Sequence, residues 1–134
     1  MGSFGNYLED EILDHIFGKG AYTPPTIYVA LSTADPTDDG TGMAEPSGNG
    51  YLRVQTAAAD WDPASGGALD NANAIEFPQA SGGSWGTITH FALFDATKAV
   101  GGNMLAHGAL SASKTIADGD TARFSAGALD VTLD

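Results

Sequence analysis

A chain of 134 residues with seventeen acidic and five basic side chains, net charge −12, fits one domain and cannot neutralise a run of phosphates. That excludes nucleic acid and anionic membranes as natural partners. The lack of cysteine excludes disulfides, thiolate metal sites and a cysteine nucleophile, while eighteen glycines and six prolines announce many turns between short elements.

A hydrophobic share of 43% still suffices for a core, so the expectation is one globular domain over residues 1–134. No apolar stretch approaches the roughly 20 residues of a membrane helix, and no basic segment leads into an apolar run. A protein made and matured in a bacterial cytoplasm is expected.

Residues 1–5 read as a flexible arm with Phe4 exposed. Asn6 with Glu9 three residues on has the form of a capping box, and Glu9, Asp10 and Glu11 suit the positive end of a helix dipole. The apolar positions Leu8, Ile12, Leu13, Ile16 and Phe17 then mark one face of an amphipathic helix over residues 7–17, ended by Gly18 and Gly20. The stripe is expected to pack on the body of the domain; docking on a partner is its second reading.

After Pro24 and Pro25 the period becomes alternating. Residues 26–33 (TIYVALST), 51–57, 74–77, 87–95 (TITHFALFD), 104–110, 113–117, 121–125 and 128–133 read as strands. Residues 87–95 should be central, with Ile88, Ala92 and Phe94 facing one way and Phe91 and Leu93 the other. Residues 35–50 and 60–73 read as long loops, Trp61 being the one large anchor of the second. Asp118, Gly119 and Asp120 make a tight turn. About eight short strands between turn clusters predict a mainly β fold: an antiparallel, jelly-roll-like β-sandwich with one N-terminal helix.

Reactive constellations are weak. Gly82-Gly83-Ser84-Trp85-Gly86 spells the G-x-S-x-G nucleophile elbow, but a turn precedes it and a strand follows, the reverse of what that motif needs. His90 and His107 fall on predicted strands and make only two imidazoles of an incomplete ligand set. The clusters Asp35/Asp38/Asp39, Asp60/Asp62 and Asp118/Asp120 lack calcium-loop spacing, and turns use aspartate for its backbone hydrogen bonds. No catalytic residue, metal or cofactor is expected, and the chain is not read as an enzyme.

The runs NYLEDEILDHIFG from Asn6, AYTPPTIYVALSTADPT from Ala21, GYLRV from Gly50, GSWGTITHFALFDA from Gly83, GNMLAHGAL from Gly102 and SKTIADGDTARFSAGALDVTLD from Ser113 span nearly the whole chain. Together they resemble a family of small tailed-bacteriophage proteins usually labelled phage tail fibre protein. The resemblance implies a structural component of the virion and supplies no catalytic residue. A fibre must be long, whereas small β-sandwiches often serve as capsid cement, commonly as trimers. By that fold analogy the expected role is capsid cement or decoration on the major capsid protein, as a homo-oligomer. The alternative is a tail fibre or tail-tip component that reads a host receptor.

Partner contacts are expected from the arm and the two long loops, at Phe4, Tyr7, Asp35, Asp38, Asp39, Asn49, Tyr51 and Trp61. Removing residues 1–5 should then weaken assembly and leave the fold intact.

Overall fold

The first residues form a strand where an arm was expected. A computed structural model describes residues 2–133, so Met1 of the expected arm lies outside the described residues. β1 (Gly2–Phe4) lies between β7 (Met104–Ile116) and β9 (Asp130–Thr132), antiparallel to the first and parallel to the second. Glycine permits this insertion. A Cβ on Gly2 would stand 2.6 Å from Cζ of Phe91 and 2.7 Å from the backbone oxygen of His107. Phe4 is accordingly packed against the core instead of standing free.

The helix α1 (Asn6–Ile16) begins one residue early and without the expected capping box. Gly5 is the N-cap, and the Asn6 amide donates to the Asp38 carbonyl at 2.9 Å, so the long loop does the capping. The other end follows the glycine rule. Gly18 takes φ +73°, Lys19 N–H bonds the Asp14 carbonyl at 2.8 Å and Gly18 N–H the His15 carbonyl at 3.4 Å, a Schellman closure.

β2 (Tyr28–Ser32), β3 (Val54–Gln55), β4 (Ala68–Asp70) and β6 (Gly86–Phe94) complete a seven-stranded sheet of order β3-β2-β6-β7-β1-β9-β4. β5 (Ile75–Glu76) and β8 (Arg123–Phe124) form a separate two-stranded sheet. Ile75, Phe77, Trp85 and Tyr51 share one cluster with Leu129 and with Val29, Leu31, Phe91 and Val131 of the larger sheet. The result is a β-sandwich-like fold of unequal layers with one N-terminal helix.

Four details depart from the expected strands. Residues 104–110 and 113–117 are one 13-residue strand, and residues 60–73 hold β4 besides loop. The sheet is not wholly antiparallel, because β1 and β9 run together. And Ile88 packs with Phe91 and Leu93 in the main core, while Ala92 and Phe94 pack with Ala30 and Met104 in a second cluster. Strict alternation would put Ile88 opposite Phe91. A register shift between Ile88 and His90 reverses the phase and brings both inward.

Candidate interaction surfaces

The long loop over residues 35–50 is fixed from within by a buried ion pair. Glu45 and Arg53 have side chains only 8% and 5% exposed, with Oε1 and an Arg53 terminal nitrogen 2.6 Å apart. The other terminal nitrogen donates to the carbonyls of Ala96 and Gly101 at 2.8 and 2.7 Å, and the guanidinium lies 3.7 Å from the centre of the Phe94 ring. Tyr51 donates to Glu45 at 2.7 Å and accepts from the Leu31 amide at 3.0 Å. One arginine therefore ties loop 35–50 to the turn after β6. The residues forming this clip lie in the segments read from sequence as loop and strand, and no spacing there marks Glu45 and Arg53 as a pair.

Burial, and then the hydrogen bond to Glu45, push the Tyr51 hydroxyl well above the usual tyrosine range. Burial likewise pushes Tyr22 up to about 12, with Tyr7 and two carboxylates adding to it. A folded pKa above the unfolded one means stability that is complete below the ordinary tyrosine value near 10 and lost as pH rises beyond it. Denaturant melts should be flat between about pH 8 and 9.5 and fall steadily above about pH 10. A constant midpoint up to pH 12 would contradict the buried, neutral Tyr51.

The aspartates expected to meet a partner are exposed yet engaged. Asp39 accepts from the hydroxyls of Thr37 and Thr41 at 2.7 and 2.8 Å, and these bonds hold its carboxyl down at about 2. Asp35 accepts from the Thr37 amide, and Asp38 lies 2.8 Å from Nε2 of His107. His90 and His107 do come together on adjacent strands, paired with Ala109 and Ala92, beside Asp35. Among the described residues no three His, Cys, Asp or Glu side chains are grouped to hold a metal ion.

Of the other expected contacts, Tyr51 is in the core and unavailable to a partner, and Tyr7 is half-buried. Trp61 is half-buried with its indole N–H on the Thr56 hydroxyl at 2.9 Å. Asn49 spans to the Ser84 carbonyl at 3.1 Å, and its own carbonyl takes the Trp85 indole N–H at 2.8 Å. Ser84 donates to the Ile116 carbonyl at 2.8 Å and accepts from the Gly86 amide at 2.9 Å, the arrangement of a turn.

The helix supplies the surface that none of those residues does. Leu8 is buried and Ile12 packs on the core, but Leu13, Ile16 and Phe17 are 56%, 71% and 73% exposed. At ~100° per residue, Leu13 and Phe17 stand about 140° and 180° around the helix from Leu8, so one face cannot bury all five. That arithmetic was available in the sequence. The apolar tip is flanked by the helix's own acids, among them Asp10 and Asp14.

A family model described as podophage GP4 fiber I protein gp80 matches residues 3–132. A search of curated proteins gives no match.

Proposed function

The chain belongs to the podophage GP4 fiber I protein gp80 family, making it a phage structural protein, and from that premise we propose that it is a tail fibre component. The family match across almost the whole chain carries this reading. It favours the tail over the capsid cement role that size and fold alone suggested. The protein works through its surfaces and performs no catalysis. One domain of this size is a globule, so a long fibre holds several copies or a further chain.

The exposed helix tip is where the protein docks on its neighbour in the tail. Three large apolar side chains at the end of a helix, bordered by carboxylates, suit an apolar groove rimmed with Lys or Arg. A second copy is a poor occupant, since each copy brings a charge of −12. The paired change Ile16→Gln and Phe17→Gln should alter stability by no more than about 0.5 kcal/mol, both sites being exposed. It should nonetheless sharply reduce incorporation into particles, read by quantitative immunoblotting of purified virions. Immunogold labelling of intact virions tests the location. Gold confined to the tail is expected; gold spread over the head would return the protein to the capsid.

A further inference from the structure

β7 is longer than its neighbours. β1 covers only Ala106, His107 and Gly108 on one edge, and β6 pairs with Met104, with residues 106–109 and again with Lys114, Thr115 and Ile116 on the other. Among the described residues, Leu110 to Ser113 have no strand partner on either side, and the edge of 114–116 turned away from β6 has none. β8 is paired with β5 alone, so its second edge is also open. Between the open edges of β7 and β8 lies a groove of about 570 Å³. Ile88, Phe91 and Leu110 of the larger sheet and Phe124 of the smaller one give it an apolar lining drawn from both sheets.

The groove is marked by charge as well as shape. Lys114 and Arg123, two of the five basic residues in the chain, line it; among the described residues Asp130 is the one acid there. A protein with so few cations that puts two at an unpaired strand edge selects for carboxylates. Unpaired edges are liabilities unless blunted or filled, and strand addition fills them with backbone hydrogen bonds while side-chain pockets give selectivity. A volume of about 570 Å³ falls within the roughly 300–1,000 Å³ range of ligand-scale clefts.

We propose that this groove accepts an extended, carboxylate-bearing strand from a different protein, added to the open edge of β7 between the two sheets. A second copy is not the donor. Its loop carboxylates are spent as turn caps: Asp39 on Thr37 and Thr41, Asp60 on the Ala57 amide, Asp118 on the Gly82 amide and Asp120 on the Ala117 amide. The inference concerns another surface than the helix tip. Gly5 N–H bonds the Leu105 carbonyl, so the helix starts at one end of β7 while the groove flanks the other. It stands whether the protein sits on tail or head.

The test uses the full chain, labelled with ¹⁵N, and two blocked seven-residue probes: Thr-Glu-Val-Thr-Val-Glu-Thr and the same peptide with Lys for Glu. The Glu probe should slow amide exchange across residues 110–116, and the Lys probe should bind at least about tenfold more weakly. The exposed pair Lys114→Glu and Arg123→Glu should reverse that preference. Absence of protection with either probe at millimolar concentration overturns the proposal, as does equal binding of the two. Protection of 110–116 that rises with protein concentration without any peptide would make a second copy the occupant and overturn the choice of donor.

Discussion

Removal of residues 1–5 is expected to abolish cooperative folding, the opposite of what an arm would do. Among the described residues β1 is the only strand joining β7 to β9, and through β9 to β4. Without it, Leu129 and Val131, 0% and 6% exposed, lose the sheet that holds them in the core. The loss should exceed the 4–5 kcal/mol that marks an exceptional single change, against total stabilities of about 5–15 kcal/mol. Gly2→Ala isolates the cause. Its new methyl group meets a backbone oxygen that cannot swing aside, so a cost of about 1–3 kcal/mol is expected from the overpacking. Urea unfolding followed by circular dichroism measures both variants. A truncated protein that melts within about 1 kcal/mol of the full chain would show that β1 does not join the sheet.

Arg53→Met should destabilise the fold by about 3–5 kcal/mol, because it strands a buried carboxylate and leaves two carbonyls without their donor. Arg53→Lys is no remedy, since one ammonium cannot reproduce the planar fork that serves Glu45, Ala96 and Gly101 together. The double change Glu45→Gln with Arg53→Met should recover part of the loss. A single-variant cost under about 1 kcal/mol would mean the pair is solvated.

The sequence states the central strands plainly because both faces of β2 and β6 are buried and their apolar runs admit no other reading. Elements held by neighbours were the ones hidden. Met-Gly-Ser-Phe-Gly carries no strand signal; its strand exists because β7 and β9 offer it two edges and glycine lets it approach. Ile88 reads as facing away from Phe91 because a period of two assumes an unbroken register, and the shift before His90 is a property of the pair β6–β7, not of either strand. The candidate surfaces divide the same way. The excess of apolar positions on the helix is countable from spacing, whereas Tyr51 reads as a rim residue until the clip with Glu45 and Arg53 draws it inward.

The pairing of β1 with β9 also sets the order in which the molecule can assemble. The hydrogen bond from the Thr132 hydroxyl to the Gly2 carbonyl closes across a separation of 130 residues. During synthesis the second residue must wait unpaired on this side until the last strand has left the ribosome. Helix α1 and the hairpin of β6 and β7 can form earlier, but the sheet that contains the first strand closes last. Contacts this distant in sequence slow folding, because loop entropy must be overcome before they contribute. In the interval the open edge of β7 extends along its whole length. The sheet therefore closes only once β9 is available, and a chain still lacking that strand exposes more strand edge to its neighbours than the folded molecule does.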